Sequence, residues 1–122
     1  MPDLLFDATI RGLTEVLTLR EKQHGVLVSN VANVDTPGYR AQMLDFEAAL
    51  AAAFEGWEDQ ERQAPGVRVR EDEEAPVRPD GNSVDMDLQM AQLSFNAGRY
   101  GTMARLLGNR LNLLRQAIEG SR

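Results

Sequence analysis

The sequence predicts a mainly α-helical protein in which two long terminal helices form a coiled-coil-like hairpin. Three observations carry this expectation. Near the C-terminus, Met86, Met90, Leu93, Ala97, Tyr100, Ala104, Leu107, Leu111, Leu114 and Ile118 recur alternately four and three apart, the rhythm of a helix seam. Near the N-terminus, Phe6, Ile10, Leu13, Leu17, Arg20, His24, Leu27, Val31 and Val34 repeat it, with Arg20 and His24 as polar interruptions. Between the stripes lie a Pro-Gly turn, a short Ala-rich stretch and an irregular charged segment. The chain therefore divides into an N-terminal helix over 1–36, a middle over 37–82 and a C-terminal helix over 83–122.

The first helix, from about Leu5 to Val34, would be roughly 45 Å long at about 1.5 Å per residue. It should fade between Asn33 and Asp35, because Pro37 disfavours helical geometry at Thr36. Thr36-Pro37-Gly38-Tyr39 has Pro second and Gly third, as a type II turn prefers. Next, Leu44 to Phe54 is rich in alanine with Phe46, Leu50 and Phe54 on one face, which predicts a short amphipathic helix. Gly and Pro punctuate 56–82, where Val67 and Val69 alternate with Arg68 and Arg70 as one strand of a small hairpin would.

The second long helix needs a start. Asn82 or Ser83 can cap it, while Asp85 and Asp87 suit its positive end and Arg110 and Arg115 its negative end. Gly120 stops it. Gly98, Gly101 and Gly108 interrupt its interior at about 1 kcal/mol each relative to alanine. Alone, such helices lack the burial that stabilises them, so low helicity is expected at the termini of a monomer.

With 122 residues and a net charge of −6, the chain is poorly suited to nonspecific nucleic-acid binding, which needs cations on phosphates. Residues 45–74 hold ten acids against three arginines, a net of −7, whereas 84–122 hold five arginines against three acids, a net of +2. The middle is thus a solvated segment and the last helix the more basic contact surface. With no cysteine, neither disulfides nor thiolate chemistry is available. No apolar run is long enough for a membrane span, and Met1-Pro2-Asp3 lacks the basic start of a cleaved secretory signal.

Two segments are specific enough to suggest a family. Ser29-Asn30-Val31-Ala32-Asn33, followed after two residues by Thr36-Pro37-Gly38-Tyr39-Arg40-Ala41, resembles the N-terminal signature of bacterial flagellar rod and hook proteins. Asp80-Gly81-Asn82-Ser83-Val84-Asp85-Met86-Asp87, with Met90, Leu93, Asn96, Arg99-Tyr100, Leu107, Leu111, Leu114-Arg115 and Ala117-Ile118, looks like the proximal-rod branch. The chain is also short for the class, whose hook and distal-rod members carry an inserted domain. The likeness covers about 4–46 and 80–119. It departs at Gln89, where an acid is expected, and at the helix glycines.

The resemblance implies a structural subunit of the flagellar basal-body rod, on the periplasmic side of the inner membrane, exported by the flagellar type III apparatus without a cleaved signal peptide. Its implied partners are copies of itself, other rod subunits, the MS-ring/rod adapter and the export gate. The terminal helices would line a tube that transmits torque, with no cofactor, metal or small-molecule substrate. The alternative is a coiled-coil adaptor binding one helical partner, which would not need the Thr-Pro-Gly-Tyr turn. A weaker alternative is a hydrolase of cell-wall glycan, but no carboxylate pair in an apolar setting stands out.

Individual residues receive plainer expectations. Asn30 and Asn33 are amides suited to backbone or subunit contacts, and Tyr39 and Arg40 are candidates for contact with the next protomer. Ser94, Gly101 and Gly108, seven apart beside the seam, suggest an intersubunit groove for a close helix. Asp80, Asp85 and Asp87 with Asn82 superficially resemble a calcium loop but lack its spacing and terminal Glu, and capping explains them. His24, the sole histidine, reads as a packed or boundary residue.

Overall fold

The computed structural model describes residues 3–55 and 68–120. Val67 and the acids Glu58, Asp59 and Glu61 fall outside them, as does the side chain of Phe6. The order is α1 (Asp3–Ala32), β1 (Gln42–Leu44), α2 (Phe46–Glu55), β2 (Val69–Glu71) and α3 (Met86–Gly120). The two long helices pack together more extensively than any other pair of elements. Asn30 bonds to Gln89, Arg20 to Asn96 and Tyr100 to Glu21, so position rises along α3 as it falls along α1. The helices are therefore antiparallel.

The small sheet is antiparallel, pairing Gln42 with Glu71, Met43 with Arg70 and Leu44 with Val69. It is not a tight hairpin. Val69 pairs with a strand that precedes α2, so α2 lies within the connection between the strands. Backbone bonds from Asp72 N to Ala41 O, at 2.9 Å, and from Asp45 N to Arg68 O, at 3.3 Å, extend the ladder at either end. This anchors β2 beside the end of α1.

The interior is as polar as it is apolar. Among the described residues, Leu19, Leu27, Ala41, Leu44 and Val84 are the buried apolar side chains, and Asn30, Asn82, Ser83, Gln89 and Asn96 the buried polar ones. Each buried polar group needs a hydrogen-bond partner or it costs stability. That requirement displaces the predicted seam. On α3 the buried positions are Gln89 and Asn96, each one residue before the apolar position the stripe assigned. Leu93, Tyr100, Leu107 and Leu114 are half-buried, whereas Met86, Met90, Leu111 and Ile118 are exposed, the last to 58 %. On α1, Leu27 is buried, Ile10, Leu13, Leu17 and Val31 are half-buried, and His24 is exposed.

Arg20 explains part of that rotation. Its Nη1 donates to Asn96 Oδ1 at 3.3 Å, and Asn96 Nδ2 donates to the Arg20 carbonyl at 2.9 Å. The polar interruption on one helix is met by an amide on the other. The guanidinium also lies 4.1 Å from the Phe46 ring centroid, a cation–π contact that ties α2 to the pair. Burial, and secondarily the charge of Arg99, pulls Arg20 below the usual arginine pKa.

The five buried apolar side chains among the described residues hold long helices weakly, since tertiary burial supplies most helix stability. In dilute monomeric solution we expect circular dichroism to show well under the helical content of the assembled form. A cooperatively melting monomer with both helices complete would contradict this.

Candidate functional site

The two segments that carry the family likeness meet in space at the closed end of the hairpin. The chain leaves α1 through Thr36–Tyr39, where Tyr39 N donates to Thr36 O at 3.2 Å and Gly38 has φ of 76°, the left-handed geometry a type II turn needs at its third residue. The returning segment makes a turn at Arg78–Gly81, closed by Gly81 N to Arg78 O at 2.9 Å, with Gly81 at φ 85°. The turns dock through Gly38 N to Asp80 O at 2.9 Å and Ser83 N to Tyr39 O at 3.0 Å. A Cβ on Gly81 would sit 3.2 Å from Gly38 Cα. Gly81 is therefore required both by conformation and by this close approach.

Asn82 is fully buried at this junction. Its Nδ2 donates to the carbonyls of Asn33 and Thr36, both at 2.8 Å, and its Oδ1 accepts Val84 N at 2.7 Å. These carbonyls lie just past α1 and also accept Thr36 N and Tyr39 N, so a residue 49 positions away adds a long-range bond to the turn that leaves the helix. Arg78 adds a bond from Nη2 to the Val34 carbonyl and one from Nη1 to the Val84 carbonyl. Its Nε lies 3.6 Å from Asp80 Oδ1, which also accepts Asn82 N at 3.0 Å.

Asn82 and Ser83 are thus not the caps of the second long helix. Asp85 is the cap: its Oδ1 accepts Leu88 N at 3.2 Å, three residues on, as a capping carboxylate does. Asn82 is taken by α1, and Ser83 Oγ accepts Ala41 N at 2.7 Å. Sequence spacing offered Asn82 and Ser83 as caps and Asp85 only as an acid at the helix start, and the tertiary contacts of the first two leave the capping to Asp85.

Asn30, also fully buried, joins α1 to β1 and α3. Its Nδ2 donates to the Gln42 carbonyl at 2.8 Å and to Gln89 Oε1 at 3.1 Å. Its Oδ1 accepts Gln42 N at 2.9 Å and the Tyr39 hydroxyl at 3.2 Å. Both donors and both acceptor sites of the amide are used. Toward Gln42 it imitates a neighbouring strand, satisfying one residue's N–H and C=O together. Gln89, the departure from the expected acid, accepts here as a neutral amide, where a carboxylate would need compensation for its buried charge.

The remaining motif residues divide. Asn33 Nδ2 donates to the Ser29 carbonyl at 2.8 Å and its Oδ1 accepts Thr36 Oγ1 at 3.1 Å, so it acts within its own turn. The Tyr39 hydroxyl bonds inward to Asn30 Oδ1, with Ser29 Oγ 3.4 Å away. Ala32, Pro37 and Arg40 are exposed. Ser94 is exposed, Gly101 and Gly108 are half-buried, and a Cβ at either glycine would meet nothing within 4 Å. Among the described residues no group of three or more His, Cys, Asp or Glu is placed to hold a metal ion.

Sequence reasoning named Gln89 only as a departure from the family pattern and Asn96 only within the likeness, gave neither a packing role, and missed Arg78. The first two had a signal, being polar and seven apart on a helix. Arg78 had none, because its role depends on where two distant carbonyls end up.

The chain is similar to proteins named flagellar basal body rod protein FlgB. It is 36 % identical to that of Cereibacter sphaeroides over 87 % of this chain and 90 % of the relative. It is 31 % identical to that of Salmonella typhimurium over 93 % and 95 % respectively. For Bacillus subtilis the identity is 24 % over 97 % and 98 %. No family model matches the chain.

Asn82→Ala strands the Val84 amide and removes the second partner of the Asn33 and Thr36 carbonyls, which keep the bonds from Thr36 N and Tyr39 N, and Asn30→Ala strands groups on Gln42, Tyr39 and Gln89. We expect each to lower stability by about 2–3 kcal/mol, read by denaturant unfolding of the assembled or osmolyte-stabilised protein. Gly81→Ala should lose about 1–3 kcal/mol through its positive φ and the Gly38 contact. A change under 0.5 kcal/mol in all three would remove the junction as a stabilising unit.

Proposed function

The chain belongs to the flagellar basal body rod protein FlgB family, and on that premise we propose that its terminal helices polymerise with those of other subunits into the proximal rod. It is a structural subunit of the flagellar rod. In the proposed assembly α1 and α3 line the tube wall that carries torque from the motor, without any catalytic step. We place it just outside the inner membrane, reached by flagellar type III export. Copies of itself, other rod subunits, the MS-ring/rod adapter and the export gate are its proposed partners.

One observation supports assembly through α3 most strongly: the helix exposes apolar residues on two opposite faces. Met86, Met90, Leu111 and Ile118 form one stripe, and Leu88, Phe95, Leu106 and Leu113 the other, as 3.6 residues per turn requires. Phe95 is 60 % exposed. A monomer gains nothing from such exposure, and large apolar patches mark contact surfaces. The first stripe continues the line of half-buried Leu93 and Tyr100 along the α1 seam, whereas the second faces away from α1, so α3 keeps apolar surface for a neighbour beyond its partner helix. The open space over Gly101 and Gly108 supports close approach of a neighbouring helix there.

Deleting the gene should abolish motility, and the protein should be found in purified basal bodies. A motile deletion strain with a complete rod would overturn the assignment. Gly101→Leu with Gly108→Leu should leave the monomer intact yet cut rod assembly and motility at least tenfold. Unchanged swimming would remove the groove from the account.

A further inference from the structure

Asp80 and Gly81 are the one Asp-Gly pair in the chain, and no Asn-Gly pair occurs. The pair carries chemistry of its own. An aspartyl side chain can close a five-membered ring on the next backbone nitrogen, and glycine, having no Cβ, does not obstruct the approach. Gly81 N bonds to Cγ of the protonated Asp80 carboxyl, and one carboxyl oxygen leaves as water with the amide proton and the carboxyl proton. Water then adds to the main-chain carbonyl carbon of Asp80, and the bond from that carbon to Gly81 N breaks. The chain now runs through the side chain as a β-linked aspartate of unchanged mass, with nothing oxidised or reduced.

The closed junction holds each atom that this reaction must move. Gly81 N, the nucleophile, donates to Arg78 O at 2.9 Å. Asp80 Oδ1 accepts Asn82 N at 3.0 Å, two residues on, as an Asx turn does, and lies 3.6 Å from Arg78 Nε. Asp80 O, on the carbon that must open, accepts Gly38 N at 2.9 Å. Gly81 is fixed as well, at φ 85° with the position of a Cβ 3.2 Å from Gly38 Cα. Asp80 is nevertheless exposed to water. Hydrogen bonds, and not burial, restrain the pair.

The product does not fit the closed state. A β-linkage inserts Cβ into the main chain and lengthens it by about 1.5 Å, between the bond of Asp80 to Gly38 and that of Ser83 to Tyr39. It also turns the carbonyl that accepts Gly38 N into a free carboxylate beside the chain path. We propose that Asp80–Gly81 is a self-modification site restrained by the closed junction: a chain left open converts residue 80 to β-linked aspartate and thereby loses the ability to close. The junction is then a one-way record of how long a chain has stayed open.

The chemistry is read in the isolated chain, so its test does not depend on entry into a rod. The intact chain is held at neutral pH in a stabilising osmolyte and, in parallel, in guanidinium chloride, and residue 80 is followed by electron-transfer fragmentation mass spectrometry, which separates the two linkages. Conversion should be at least tenfold slower in the osmolyte. Asn82→Ala, which opens the junction and leaves the pair intact, should speed conversion in the osmolyte at least fivefold. Leu19→Ala, a cavity at a buried residue of α1 away from the junction, should change it less than twofold. The converted chain, isolated by chromatography, should lose slow hydrogen exchange at the Ala41 and Val84 amides, which donate to Ser83 and Asn82. Equal rates in the two solvents, no gain in Asn82→Ala, an equal gain in Leu19→Ala, or full protection in the converted chain would each overturn the proposal.

Discussion

The structure depends on satisfying polar backbone atoms where α1 ends. Past the helix terminus the carbonyls of Asn33 and Thr36 accept only local turn bonds, from Thr36 N and Tyr39 N, and the sharp turn at Pro37-Gly38 brings them against the returning chain. Asn82 answers with one amide that holds two carbonyls of the departing segment and one amide of its own. Asn30 does the same for β1, binding both backbone groups of Gln42. Together they fix where α3 starts relative to where α1 stops. The direction of the hairpin, the position of the two-stranded sheet and the faces α3 leaves uncovered all follow from that junction.

Such a design favours register over cohesion. Buried amides in a helix interface cost stability relative to close-packed leucine but accept few alternative alignments, as polar seam residues do in coiled coils. Asn30 with Gln89 and Arg20 with Asn96 are two such rungs, a heptad apart on α3. Between and beyond them, apolar residues that a stable monomer would bury remain outside. A subunit that completes its core with neighbours is consistent with this distribution, and it links low stability alone to stability in the rod.

Much of the architecture was legible because it is local. The two long helices, the short one and the Thr36–Tyr39 turn follow from periodicity, alanine content and the Pro-Gly pair. The inward line of α3 was not, because periodicity ranks apolar residues and cannot see that Arg20 and Asn30 need polar partners. Capping failed for a related reason: Asn82, Ser83 and Asp85 are all competent caps, and only the approach of Asn33 and Thr36 commits Asn82 elsewhere. Both motif segments were visible as separate signatures. That one closes on the other is a long-range fact, carried by Gly38 against Gly81 and by Arg78 reaching Val34.

Native-state hydrogen exchange tests most directly whether the junction organises the fold. If it does, the amides of Ala41, Gln42 and Val84, which donate to Ser83, Asn30 and Asn82, will be the slowest to exchange in the unassembled protein. Amides along the distal halves of α1 and α3 will exchange far sooner. Equal or greater protection at the distal helix ends, with rapid exchange at these three amides, would show instead that the helix seam holds the molecule and the junction merely follows it.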